Sequence, residues 1–382
     1  MSSCRPHRAG CGALVLLALL FVAPGARAQT ENPWQRAIGP WAWLFPRDHG
    51  AHPKFQSEWW YFTGNLRETA PNAHGRPLGY QLTIFRQGAQ FTPAQPDSRW
   101  AVRDFYFGHL TVSDIDANRF HFAERVSRNA FGEAHVTEGK MDIALGPWII
   151  VQDGPHDAIR LVARDAAIAL SLTCTPAKPL VLEGEAGLSR KADGIGEASY
   201  YYSYPRLATV GNVRVDKQIY EVSGTSWFDH EFSSSSLGAN EVGWDWFCVQ
   251  LNTNEEIMLY ALRDKSGAID PASEGTWINA DGTSQRLPPG SFTLEKQATW
   301  TSPRSGAIYP AKWHVAIPAR HADLVVTQAM ADQELQLTKI GVLNYWEGAC
   351  RIEGKIGSTS VQGTGYTELT GYAAPLKMGL KP

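Results

Sequence analysis

The stretch FQSEWWYFTGNL, Phe55 to Leu66, sets Glu58 directly against three large aromatics before the chain drops into small and polar residues. Taken as a strand, successive side chains alternate between faces, so Glu58, Trp60 and Phe62 share one side and Trp59, Tyr61 and Thr63 the other. Two readings are open. Either this is an ordinary buried strand that carries an acid, or the acid stands inside an aromatic chamber for a chemical purpose.

A second copy of the pattern lies downstream. WWYFTGNL, Trp59 to Leu66, can be laid on WDWFCVQL, Trp244 to Leu251, with Trp on Trp, Phe on Phe and Leu on Leu. Each copy runs through a turn into an apolar segment ending in arginine, YQLTIFR at Arg86 and IMLYALR at Arg263. A further match pairs Glu183-Gly184 with Glu347-Gly348, each followed by a tyrosine-bearing segment. Two matches in the same order predict a duplicated β-domain joined near residue 213, with halves 29–212 and 213–382. In the second copy Asp245 points away from Trp244 and Trp246, and the position matching Glu58 is Gly243.

The rest of the chain reads as strands. PLGYQLTIFRQ, FGHLTVSDID, RLVARDAAIALSLTCTP, EEIMLYALRD and KWHVAIPA are short, rich in β-branched and aromatic residues, and bounded by Gly, Pro, Asn or Asp. The best helical candidate, Phe122 to Ala134, is short and interrupted by Gly132. The class is therefore all-β. Strands at hairpin spacing imply two tandem up-and-down barrels, each wide enough to hold one small ligand or to be filled by side chains.

Composition narrows the function. The charged RPHR, the apolar run Ala13 to Val22 and the ending ARA have the form of a secretory signal peptide, 1–28, cleaved near Ala28. That run is shorter than a membrane helix needs, and no later segment is longer, so no transmembrane segment is expected in the mature chain, which reads as periplasmic or secreted. Cys11 precedes the apolar run, which argues against a lipid anchor there. Without the leader, 32 basic side chains stand against 38 acidic ones, a formal charge of −6, which disfavours nucleic acid as a partner. Cys174, Cys248 and Cys350 fit neither a disulfide framework nor a CxxC metal site; one bridge or three buried thiols are both open.

Three constellations could carry chemistry: Asp48, His49, His52 and Glu58 in the first stretch; Asp229, His230, Glu231 and Asp245 among Trp227, Trp244 and Trp246; and Tyr345, Trp346 and Glu347. No G-x-S-x-G elbow marks a serine nucleophile, and the SSSS run at Ser233 to Ser236 reads as a polar loop. There is no HExxH, no GxGxxG after a strand and no phosphate loop, so neither a metal nor a cofactor is expected. Acid–base chemistry remains. A carboxyl enclosed by aromatics loses solvation, holds its proton at neutral pH, and can deliver it to a carbon–carbon double bond, while aromatic faces stabilise the cation formed. The structural alternative is that these acids accept backbone hydrogen bonds at barrel ends or orient an imidazole.

The motifs FPRDHGAHPKFQSEWWYFTGNL (45–66), WFDHEFSSSSLG (227–238), GWDWFCVQL (243–251), YWEG (345–348) and GYTELTGY (365–372) resemble those of the secreted AttH-like proteins grouped with the carotenoid 1,2-hydratases. The resemblance implies two lipocalin-like barrels and a relation to lyases that add water to the end of a linear carotenoid. It also implies a possible ABC-type envelope permease as partner. Its acid–aromatic region corresponds to Trp227, Asp229 and His230. From it follow the expectations that Asp229 donates a proton, that His230 orients or relays it, and that an apolar small molecule sits among Glu58, Trp59, Trp60, Tyr61, Trp227, Trp244, Asp245, Trp246, Tyr345 and Trp346. The runner-up is a non-catalytic lipid carrier.

Overall fold

The computed structural model describes residue 1 and residues 33–70, 74–89, 101–128, 131–235, 237–238, 240–339 and 343–376. The expected leader with Cys11, and Ser236 of the serine run, lie outside the described residues. Among those described, no helix is long and apolar enough to cross a membrane. Among the described residues helix is confined to three single 3-10 turns, and everything else with regular structure is antiparallel strand.

The strands fall into two sheets. In the first, the order runs Arg119–Arg128, Asp104–Asp114, Pro77–Gly88, Ser57–Glu68, Gln218–Ser233, Ala198–Val215, Ile168–Pro176, Ile159–Arg164, Trp148–Gln152, Asp142–Leu145 and Ala134–Val136. Asp142–Leu145 also packs against Asp104–Asp114 and Arg119–Arg128, which brings the sheet's two ends together into a nearly closed barrel. In the second, the order is Ser284–Leu287, Glu274–Ile278, Glu256–Asp264, Glu241–Leu251, Thr359–Leu369, Leu343–Ile356, Ala322–Gln328, Ile308–Ile317 and Thr293–Thr301.

Each sheet thus places its Trp-bearing first strand between the next strand in sequence and the last strand of its own half. That is what the first internal match requires, and the Ser57–Glu68 strand is the counterpart of Glu241–Leu251. The second match does not survive. Glu347 lies in the long strand Leu343–Ile356, whose topological partner is Ala198–Val215, whereas Glu183 precedes that partner in a short connecting segment. Aromatic and glycine residues recur in several strands of each barrel, which is how a shifted alignment arises. The change of sheet accordingly falls between Ser233 and Glu241, after the join near 213 drawn from that alignment. The segment offered as a helix, Phe122 to Ala134, is largely the strand Arg119–Arg128, paired along its length with Asp104–Asp114. Its alternating aromatic and polar residues suit a strand whose partner is present.

Among the described residues, three large apolar groups fill most of the interior. Trp60, Phe62, Leu82, Ile84, Tyr202 and Phe228 are among those filling the first barrel. Phe247, Trp277, Trp313 and Trp346 fill the second. A third cluster, with Tyr61, Tyr201, Trp227, Trp246 and Tyr260, belongs to neither interior and takes residues from both sheets. At ~1.5–3 kcal/mol for each large side chain removed from water, these clusters are the main stabilising contribution. Residues 34–382 make one compact unit. Its two sheets are also tied by polar bonds: Ser113 Oγ donates to Gln333 Oε1 at 2.6 Å, Asn65 Nδ2 to the Gly365 carbonyl at 3.0 Å, and Gln250 Nε2 to the Pro205 carbonyl at 2.8 Å. Gly79 marks a close approach, since a Cβ there would stand 2.9 Å from that of Ala349. Cys174, Cys248 and Cys350 are buried free thiols.

Candidate functional site

The two faces of the Ser57–Glu68 strand, with its neighbour Gln218–Ser233, lead to different environments. The register pairs Trp60 with His230 and Tyr61 with Asp229, so His230 turns inward with Glu58 and Trp60, while Asp229 turns outward with Trp59 and Tyr61.

Inward, Glu58 is completely buried and completely partnered. It accepts bonds from His52 Nδ1 at 2.7 Å, His230 Nε2 at 3.0 Å, Arg86 Nε at 3.0 Å and the His52 backbone N–H. Burial alone would push this carboxyl up, but the bonds from His230 and His52 and the His52 and Arg86 charges outweigh it and hold it well below the usual carboxylate range. Burial lowers His230, while its neighbour His52 is raised by Asp48 and Glu58 despite burial. Trp60 stacks on His230 at 4.7 Å and donates its indole N–H to the His49 carbonyl. Among the described residues His52, Glu58 and His230 form the one group with metal-ligand spacing. Their ligand atoms already bond one another, and the Arg86 guanidinium on Glu58 opposes a further cation. The cluster reads as a structural plug at the barrel end.

Outward lies a cavity of about 120 Å³ between the two sheets, walled by Tyr61, Tyr201, Trp246, Tyr260 and Leu262 and rimmed by the half-buried Trp59, Phe85, Lys191, Leu237 and Trp244. Asp229 stands on its wall. Its Oδ1 accepts from Ser203 Oγ and Trp227 Nε1, both at 2.6 Å, and its Oδ2 from Tyr201 O–H at 2.8 Å. All three partners are neutral. Burial pushes Asp229 up to about 7, and those three bonds only partly offset it. Across the cavity Glu368, bonded by Trp244 Nε1 at 2.9 Å, is likewise pushed up to about 7 by burial. Lys191 lies over the Tyr260 ring at 4.3 Å and pairs with Glu231 at 3.0 Å.

Two more buried acids surround the site. Glu347 accepts a bond from Tyr61 O–H, its Oε2 has no partner among the described residues, and burial raises it well above its ordinary value. Glu183 bonds Thr276 and is raised to about 8 by burial.

Of the residues singled out in the sequence, Asp229, Glu231, Trp59, Tyr61, Trp244 and Trp246 line the cavity, and Trp227 stands behind Asp229 as its donor. The others do not meet there. His230, Glu58 and Trp60 belong to the first barrel's interior because their parity is opposite. Asp245 is taken by Arg263 Nε at 2.9 Å and the Tyr372 hydroxyl. Tyr345 pairs with His109 at 2.7 Å, and Trp346 is core of the second barrel, its indole bonded to the Ala331 carbonyl. Tyr201, Ser203 and Glu368 were not singled out. The parity of YYYSY and of GYTELTGY was the available signal, but it identifies a face only once the partner strand is known.

Two antiparallel sheets, one of them nearly closed, with a ligand-sized aromatic cavity, define a lipocalin-like barrel protein. The profile of the AttH-like family matches residues 36–372, and the chain belongs to that family. An AttH protein of Nitrosomonas europaea, solved by crystallography, is 32% identical, covers 88% of this chain and 99% of its own, and superposes with a TM-score of 0.78. Kievitone hydratase from Nectria haematococca, 17% identical over 90% of this chain and 98% of its own with a TM-score of 0.62, shares the fold. A search of the curated protein sequences finds no match.

Proposed function

We propose that the cavity takes the end of an apolar, isoprenoid-like molecule and hydrates a carbon–carbon double bond there, with Asp229 as general acid. One observation carries this reading: a carboxyl near pKa 7, bonded only by neutral donors, faces an aromatic cavity. Half of such groups hold their proton at neutral pH and can pass it to carbon, and Trp59, Trp244 and Trp246 offer π-faces to the resulting cation. The volume sets a size. An apolar cavity of ~150 Å³ accommodates benzene, so about 120 Å³ suits a branched five-carbon terminus whose remaining chain leaves past the rim. The shared fold with kievitone hydratase agrees with this at the level of architecture. The same reading has the protein acting outside the cytoplasm, with its leader removed near Ala28.

Citronellol and squalene, each with an isolated trisubstituted double bond, are direct probes. Formation of the tertiary alcohol, followed by gas chromatography with mass detection and lost in Asp229→Asn, is the expected result. Tight retention of either probe, or of a lipid seen by native mass spectrometry, with no conversion would replace the hydratase reading by a carrier serving an ABC-type permease.

A further inference from the structure

The duplication reaches the site itself. Laying 59–66 on 244–251 puts Tyr61 on Trp246, and each of these has a carboxylate-bearing residue as its cross-strand partner on the closing strand of its own sheet: Tyr61 faces Asp229, and Trp246 faces Glu368. The two acids are thus the same position of the two barrels. Each accepts an indole N–H, Asp229 from Trp227 at 2.6 Å and Glu368 from Trp244 at 2.9 Å. Both line one cavity, approached from opposite sheets, and the Asp229 charge is felt at Glu368.

They differ in one respect. Asp229 is buried behind three donors, whereas Glu368 has a single donor, Trp244, which stands on the rim, and is itself half-buried toward the cavity. The other carboxyl on the wall, Glu231, is committed to Lys191. No histidine lines the cavity among the described residues. Two neighbouring carboxyls in a poorly solvated site share a proton more readily than they ionise together, so one acid and one base are present at once.

Resting on the hydration reading above, we infer that Glu368 is the second catalytic carboxyl, the base that activates water. Asp229 gives its proton to the less substituted alkene carbon, where the π pair forms the new C–H bond and leaves a tertiary cation. Water entering past Trp244 forms the C–O bond, and its O–H proton passes to the Glu368 carboxylate. Return of that proton to Asp229 through solvent resets the pair, and the net change is addition of one water.

The test uses citronellol in D2O with the full protein. Deuterium in recovered citronellol reports protonation and its reversal, because Asp229 can take back a proton from the adjacent carbon; hydroxycitronellol reports water addition. Glu368→Gln is expected to lose hydration by about 10²–10⁴-fold, to keep deuterium exchange, and to lose only the ascending limb of the pH–rate profile, with Glu368→Asp restoring part of the rate. Asp229→Asn is expected to lose both reactions. Unchanged hydration in Glu368→Gln overturns the inference. So does loss of exchange together with hydration while citronellol still quenches tryptophan fluorescence, which would make Glu368 only a support for Trp244. Should Glu368→Gln fail to fold, the unmodified protein decides: a bell-shaped profile is expected, and a single descending limb overturns the base. Hydration with one limb would leave the Asp229 reading standing, whereas absence of both reactions from the unmodified protein overturns that reading and this one together.

Discussion

Two carboxyls, Glu58 and Asp229, sit on adjacent paired strands three register positions apart, both surrounded by aromatics, yet they are in opposite electrostatic states. Glu58 faces inward, where two imidazoles and a guanidinium reach it, and it stays charged. Asp229 faces outward, where only two hydroxyls and an indole reach it, and it stays partly neutral. Burial disfavours the charge in both cases. What differs is whether several cationic or N–H-donating partners share the burial, and strand parity decides which partners those are. The second barrel repeats the placement, with Asp245 beside Arg263 as Glu58 is beside Arg86 and Glu368 toward the cavity as Asp229 is. It does not repeat the charge state: with one guanidinium and no imidazole bonded to it, burial outweighs Arg263 and raises Asp245.

The sharpest way to break this comparison is to neutralise one acid at a time. Asp229→Asn is expected to lower hydration of citronellol by about 10²–10⁴-fold, the usual contribution of a positioned acid, with little loss of thermal stability. Glu58→Gln should do the reverse. Leaving Arg86 and the two imidazoles without their anion is expected to cost about 3–5 kcal/mol of unfolding free energy, read by urea denaturation, and a variant that melts like the parent would show that the inward cluster is not the plug described here.

A pH series sharpens the contrast without mutation. Asp229, Glu368, Glu183 and Glu347 have folded-state values above their unfolded ones, so between those values the unfolded chain has released protons that the native state still holds, and stability falls as pH rises. Below about 6.5 the buried neutral histidines His49, His109 and His230 act in the opposite sense, because the unfolded chain binds protons that they do not. From pH 6.5 to 8 the acids remain, joined by His52, whose raised folded-state value acts in the same sense, and the melting temperature is expected to drop across that window, less steeply in Glu183→Gln. Glu58, lowered in the folded state, stabilises above its unfolded value near 4 and contributes no slope there. The smallest effect expected is at the rim. Trp59→Ala should weaken retention of squalene by about 1–3 kcal/mol, as loss of a single aromatic contact does, while leaving the unfolding midpoint almost unchanged because Trp59 is only half-buried.

The AttH-like membership and the all-β architecture were legible early, because the period-two pattern and the repeated Trp-bearing strand are local properties of the chain. FQSEWWYFTGNL was read correctly as a first strand with Glu58 and Trp59 on opposite faces, and Asp229 was picked out with its tryptophan partner two residues away. His230 was paired with it through the family resemblance, whose acid–aromatic region takes in Trp227, Asp229 and His230 together. In a strand, adjacency guarantees separation, so the imidazole ended in the other compartment. Glu368 went unseen although its motif GYTELTGY was quoted, because nothing local sets its acid apart and its counterpart, Asp229, lies 139 positions earlier in the chain.

What the sequence determined by itself was the set of alternating faces and the existence of two related halves, since both follow from the backbone's own period. Which face meets a cation and which meets a cavity was decided only when the two sheets packed. Solvation and charge pairing depend on through-space neighbours, and those come from strands far apart in the chain.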